Sequence, residues 1–243
     1  MSRAVILAVG DELLSGDRRD ANGAWLARRL AQRGVELVGI HIVRDEPELL
    51  EHALREAAAQ AELVVVSGGL GPTEDDRTRA ALAAAAEVEL VYDEEAWAAI
   101  HACMQQRDRV PSDGERRQAL VPAGGRWLPN EVGVAPGLAL TIGAARVFAF
   151  PGVPREWRAM SEAYLLPTLE GRAAGAERVV WVAGLPESDV AARLDGSAAL
   201  EDVALASYPH DGEVELRLRA LGKGAEERAG RAEADVRARL AAN

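Results

Sequence analysis

Before residue 87 this chain runs three times from a short apolar stretch into a segment with helical spacing. Residues 4–9, 35–43 and 63–66 read as strands, followed by helices at 21–32, 47–60 and 79–86. In the first helix Trp25, Leu26 and Leu30 share a face, and Gly34 stops it. Pro47 sits near the start of the second, where a missing N–H does no harm. Repeated strand–helix units predict a mostly parallel sheet with helices on both faces, a three-layer α-β-α arrangement. Ligand loops then lie at the carboxyl ends of the strands. Asp11, Asp45 and Asp76 each follow one of the three strands closely, so one crevice is expected to gather them.

The loop after the third strand carries the most chemistry. It reads Ser67-Gly68-Gly69-Leu70-Gly71-Pro72-Thr73-Glu74-Asp75-Asp76-Arg77-Thr78. A glycine-rich turn between strand and helix leaves backbone N–H groups open to an anion, and the helix N-terminus beyond it favours negative charge. Two adjacent carboxylates would repel a bare phosphate. They fit a phosphate accompanied by a divalent cation, Mg²⁺ or another. The structural alternative is a plain helix entry, with Thr73 or Asp75 as N-cap and the glycines as turn residues. The loop is neither a P-loop nor a dinucleotide fingerprint. Ser67 lacks the setting of a nucleophile elbow and reads as a strand end.

A net charge of −11 removes any basic footprint for nucleic acid or an anionic membrane. No apolar stretch reaches membrane-spanning length and no signal-peptide pattern is visible, so a soluble, cytoplasmic protein is expected. The lone Cys103 excludes an intramolecular disulfide and reads as a small buried residue on a helix. His41, His52, His101 and His210 have no metal-ligand spacing; His41, placed just after the second strand, is the one nearest the expected crevice.

Further on, residues 93–106 read as a helix and 107–115 as a polar loop with Pro111 and Gly114. Short strands are expected at 126–128, 138–142 and 146–150, then an amphipathic helix over 156–166 with Trp157, Met160 and Tyr164 turned to the core. Residues 171–177 read as a linker. A second unit follows: strand 179–183, helix 188–194, strands 203–207 and 213–221, helix 225–241. The alternation in 213–221 suggests a strand with one wet face. The division expected is 1–171 and 176–243.

The wording Gly68-Gly69-Leu70-Gly71-Pro72-Thr73-x-Asp75-Asp76-x-Thr78 resembles the signature of the N-terminal domain of the CinA (competence/damage-inducible) family, within the molybdopterin-binding, MoaB/MogA-like superfamily. Other segments agree in order: Gly10-Asp11-Glu12-Leu13-Leu14-Ser15-Gly16, Asp20-Ala21-Asn22, Gln118-Ala119-Leu120-Val121-Pro122, Leu128-Pro129-Asn130, Gly133-Val134-Ala135-Pro136-Gly137 and Pro151-Gly152-Val153-Pro154. The resemblance runs from Val5 to about Leu169 and more weakly beyond. The second unit, with Gly184-Leu185-Pro186-Glu187-Ser188, resembles the family's small α+β KH-like domain. Gly222-Lys223-Gly224 does not have the spacing of the RNA-binding KH loop, so packing or dimerisation is expected instead. The amidase domain of full-length members is expected to be absent, and nicotinamide-nucleotide deamidation with it.

The resemblance implies a molybdopterin-binding-like fold and a metal-dependent pyrophosphatase acting on ADP-ribose. It also admits molybdopterin itself as ligand, bound or adenylylated, and a non-catalytic nucleotide-binding scaffold. It places Asp45 and Asp76 as the catalytic aspartates, with Asp75 joining them on the metal. Gly68, Gly69, Gly71 and Thr73, closed by Thr78, match the phosphate-contacting turn. Gly10, Asp11, Glu12, Asn22, Asn130, Gly133, Pro136, Gly137, Pro151 and Gly152 fall to the remaining substrate site. A homodimer is implied as well. Two stretches depart from the family form: Gly16-Asp17-Arg18-Arg19-Asp20 is more charged, and Pro111-Ser112-Asp113-Gly114-Glu115 is more acidic. Both lie where ligand selectivity would be set.

Overall fold

The computed structural model describes residues 2–169 and 175–241. By contacts the chain divides into two units, Met1–Leu30 with Val35–Glu170 and Ala31–Gly34 with Gly171–Asn243. The expected linker lies largely outside the described residues.

The first unit begins β1(Arg3–Val9), α1(Asp11–Leu14), α2(Ala21–Gln32), β2(Glu36–Val43), α3(Pro47–Gln60), β3(Leu63–Ser67) and α4(Thr78–Ala86). It continues β4(Leu90–Tyr92), α5(Glu94–Gln105), α6(Asp113–Arg117), β5(Leu120–Pro122), β6(Arg126–Leu128), β7(Gly137–Ile142), β8(Ala145–Phe150) and α7(Pro154–Met160). Six strands form one sheet in the order β2-β1-β3-β8-β7-β6. β2, β1, β3 and β8 run parallel; β7 opposes them, and the edge strand β6, antiparallel to β7, restores their direction.

Burial on both faces explains the apolar runs. Val5, Leu7 and Val9 of β1 and Val64 and Val66 of β3 pack with Leu50 and Leu54 of α3 and Leu82 of α4. Ala4, Ile6, Leu63 and Val65 face the other way, onto Leu26 and Leu30 of α2 and Trp157 and Met160 of α7. Each large side chain so removed from water contributes about 1.5–3 kcal/mol. Phe150 meets Trp157 edge-on, with ring centroids 5.5 Å apart.

Several local expectations change. Residues 107–115 are not all loop: Ser112 and Glu115 form a capping box that starts α6. The short strands β4 and β5 pair as a separate two-stranded sheet. The helix after Pro154 stays α only to Met160, then widens to a π-helical turn, Ser161–Leu165.

The second unit comprises β9(Ala176–Ala183), α8(Glu187–Leu194), β10(Ala204–His210), β11(Glu213–Ala220) and α9(Ala225–Ala241). Its antiparallel sheet has the order β10-β11-β9, and Val180, Val182, Val214, Leu216 and Leu218 pack with Val190 of α8 and Val236 of α9. The wet face expected of β11 is dry at Glu215, which is buried and paired with Arg217 at 2.5 Å and His210 at 3.4 Å. Those bonds, Arg217's first, hold its carboxyl below the ordinary range. Among the described residues no helix is long and apolar enough to cross a membrane.

Candidate functional site

The carboxyl ends of β1, β3 and β8 open on a crevice of about 610 Å³. Gly10 comes from the turn after β1 and Glu12 from α1, Asp45 from the loop after β2, and Gly68 to Gly71, Asp75 and Asp76 from the glycine loop. Pro151 and Gly152 follow β8. Sequence reasoning did not find Arg18 and Arg109, the two cations of the wall, nor Glu115, Gln118 and Glu156. A surface arginine leaves no periodic trace. Arg18 and Glu115 do fall in the two stretches that depart from the family form.

The glycine loop is held by its carbonyls. Gly68 C=O accepts from Thr78 Oγ1 at 2.9 Å, Gly69 C=O from Thr78 N–H at 3.1 Å, and Leu70 C=O from Gln118 Nε2 at 3.0 Å. Gly68 N–H is taken by Phe150 C=O. The N–H groups of Gly69, Leu70 and Gly71 make no hydrogen bond among the described residues. Gly68 and Gly69 have φ of +103° and +67°, and a side chain at Gly69 would run into Thr78 Oγ1. Replacement there strains the fold as well as blocking the approach.

Downstream, Asp76 Oδ2 accepts both the Thr73 N–H (2.9 Å) and the Thr73 hydroxyl (2.5 Å), folding the end of the loop on itself. Thr73 itself does not line the crevice. The helix-entry alternative fails in detail: the residue capping α4 is Arg77, with no side-chain cap bond. Asp75 is exposed. Next to Thr78, Arg79 is 5% exposed, and its Nε and Nη2 have no partner. Burial pulls its guanidinium down to about 10, opposed by the charge of Asp76.

Asp45 is half-buried and accepts the Asp11 N–H at 3.2 Å. Burial pushes its carboxyl above the ordinary value, and the charges of Asp11, Glu12 and Asp75 add to the rise. Of the three aspartates expected to converge, Asp45 and Asp76 line the crevice, joined there by Glu12 and Asp75. The Asp11 side chain turns outward to Arg44 at 3.0 Å. Among the described residues no group of three or more His, Cys, Asp or Glu side chains is set to hold a metal by itself.

The other expected residues divide. Asn22 is buried, donating to Ser67 Oγ (2.9 Å) and Gly152 C=O (2.8 Å), and opens on a smaller hollow beside the crevice. Asn130, Gly133 and Pro136 line a second cavity of about 360 Å³ against α5, and Gly137 is buried in β7. Asn130 ties its own loop together: its Oδ1 accepts Val132 and Gly133 N–H, and its Nδ2 donates to Ala135 C=O and Glu156. Cys103 is not a buried apolar filler; it is half-buried on that cavity wall, its thiol directed at Gly133 C=O and touched by Arg107. His41 lies within β2, exposed, and off the crevice wall.

Two family models match the chain: "Probable molybdopterin binding domain" over residues 5–171, and "Damage-inducible protein CinA KH domain" over residues 177–243. A CinA-like protein of Anaeromyxobacter sp. (strain Fw109-5) is 39% identical over 237 residues, covering 96% of this chain and 58% of that one. A protein of Pyrobaculum calidifontis is 42% identical over 194 residues, 79% of this chain and 74% of its own. The crystal structure of a protein described as CinA with unknown function, from Thermoplasma acidophilum, is similar with a TM-score of 0.63 at 33% identity, covering 67% of this chain and 95% of that one. The chain spans about half the length of the curated CinA-like relatives it matches.

Proposed function

The chain belongs to the CinA-like family, a molybdopterin-binding-type domain followed by a CinA KH domain, and from that premise we propose that its crevice hydrolyses the pyrophosphate of an ADP-ribose-like nucleotide sugar with a divalent cation. One observation carries the reading. Three unbonded N–H groups share a wall with the carboxylates of Glu12, Asp45 and Asp75. The amides call for an anion and the carboxylates for a cation, so a cation-bound pyrophosphate satisfies both.

Asp75 and Asp76 would hold the cation, with the substrate phosphates supplying its other ligands. When bound, the cation neutralises charge on the phosphates. The amides of Gly69, Leu70 and Gly71 hold non-bridging oxygens, and Arg18 and Arg109 offset the acidic wall. Asp45, whose carboxyl is more basic than an ordinary aspartate, orients a water and takes its proton as the water oxygen bonds to phosphorus. The anhydride P–O bond breaks, giving AMP and ribose 5-phosphate.

The test is incubation with ADP-ribose and Mg²⁺, with and without a chelator. Chelator-sensitive release of AMP is expected. No release with Mg²⁺, Mn²⁺ or Co²⁺ would overturn the hydrolase. A second reading, binding or adenylylation of a molybdopterin-like ligand, draws on the description of the first family model. Thermal shifts with pterin ligands but none with ADP-ribose would favour it; no shift with either would point to a scaffold. A homodimer is part of the proposal, and light scattering at micromolar concentration tests it.

A further inference from the structure

We propose that Gln118, acting with Thr78, is a positioning residue that turns three successive N–H groups of the glycine loop onto the ligand's phosphates; this rests on the anionic-ligand reading above. In a planar trans peptide the C=O and the following N–H point to opposite sides. Anchoring the carbonyls of Gly68 and Gly69 on Thr78 and that of Leu70 on Gln118 therefore sends the N–H groups of Gly69, Leu70 and Gly71 the other way. These residues line the crevice, and their N–H groups have no partner among the described residues. Releasing either anchor lets a peptide plane rotate and present a carbonyl oxygen to the anion instead.

Gln118 is an expensive way to brace a loop. It is 1% exposed, and its Oε1 has no hydrogen-bond partner. A buried amide satisfied at one end only costs stability. Its Nε2 bond to Leu70 C=O is the contact that offsets this, and it acts on the glycine loop. Thr78, fully buried, spends both its hydroxyl and its N–H on the same loop.

The probe is inorganic pyrophosphate with Mg²⁺, titrated by calorimetry against Gln118→Met, Thr78→Val and Thr78→Ser. Met and Val preserve volume but lose the donor; Ser keeps it. Affinity is expected to fall by about tenfold in Gln118→Met and in Thr78→Val, the scale of one lost or misdirected hydrogen bond, and to stay near wild type in Thr78→Ser. With ADP-ribose, KM is expected to rise by the same factor with kcat little changed, because the amides hold ground state and transition state alike. Wild-type pyrophosphate affinity in folded Gln118→Met would overturn the role of Gln118. If that variant does not fold, equal affinity of Thr78→Val and Thr78→Ser overturns the proposal through its other anchor. Wild-type protein that binds pyrophosphate but does not cleave ADP-ribose refutes the hydrolase alone. Wild-type protein that binds neither refutes both.

Discussion

Two of the loops that face the crevice are held in different ways. In residues 68–71 the carbonyls are tied back and three N–H groups are left over. In residues 130–136 the side chain of Asn130 answers two N–H groups and one carbonyl at once. The first is mostly glycine, the second has a single glycine and a single proline, and both carry family motifs. The difference lies in what holds them: side chains outside the first loop, Thr78 and Gln118, grip its carbonyls, while the second is gathered by a side chain of its own. A loop whose acceptors are consumed offers its donors to an anion.

The comparison predicts different consequences on its two sides. The largest effect belongs to Asp45, on the crevice wall with the first loop. Asp45→Asn is expected to lower Mg²⁺-dependent hydrolysis of ADP-ribose by roughly 10²-fold or more. Because the folded protein raises this carboxyl, its ionisation costs stability as pH climbs past the unfolded value. The variant should therefore unfold no earlier than wild type at pH 7. Asp76→Asn, which keeps an acceptor for Thr73, should lose rate with it; full activity in both would remove the carboxylates from the chemistry.

Next in size is the second loop. Asn130→Ala is expected to destabilise by about 2–3 kcal/mol, read as a lower denaturant midpoint, because two N–H groups and a carbonyl lose their partner. Pyrophosphate affinity of the folded variant should not change. A tenfold loss of affinity would break the distinction between the loops.

Arg79 sharpens it from behind the first loop. Arg79→Met removes a buried charge with two unpaired nitrogens, so chemical denaturation should show a gain of about 1–2 kcal/mol. A loss instead would mean that the attraction of Asp76 outweighs the desolvation.

The smallest effect concerns Glu115, whose carboxyl is held below its ordinary value first by the Ser112 hydroxyl and then by the Ser112 N–H. A depressed carboxylate contributes stability that is present above its unfolded pKa and lost as pH falls through the folded one. Glu115→Gln should flatten the stability curve only below about pH 4.5 and leave it parallel to wild type at neutral pH. An equal slope in both proteins down to pH 3 would exclude the contribution.

What was legible in the sequence follows from where each element is buried. β1 and β3 are covered on both faces, so their apolar runs are continuous, and α2 and α3 show helical stripes against them. The glycine loop announced itself because positive φ at Gly68 and Gly69 leaves little choice of residue. Some short elements did not: β4 and β5 are too short for a period, and Pro111 and Gly114 disguised α6 although Ser112 and Glu115 have the spacing of a capping box. Glu215 read as solvent-facing because alternation reveals faces, not what an ion pair can bury. Asn130 and Gln118 could be seen as motif residues, but which loop atoms their amides would grip depends on chain segments far away in sequence.

The pairing of β3 with β8 joins Leu63 to Arg146 and Ser67 to Phe150. It also brings the glycine loop beside Gly152, so the crevice does not exist until these distant strands have met. Closing so long a loop is slow, and contacts of this kind form late on the folding path. A ligand seated between the two loops grips contacts that the folding transition state has yet to make. It should thus act as a latch on the finished molecule, lengthening the lifetime of the native state in a denaturant jump while leaving the refolding rate almost where it was.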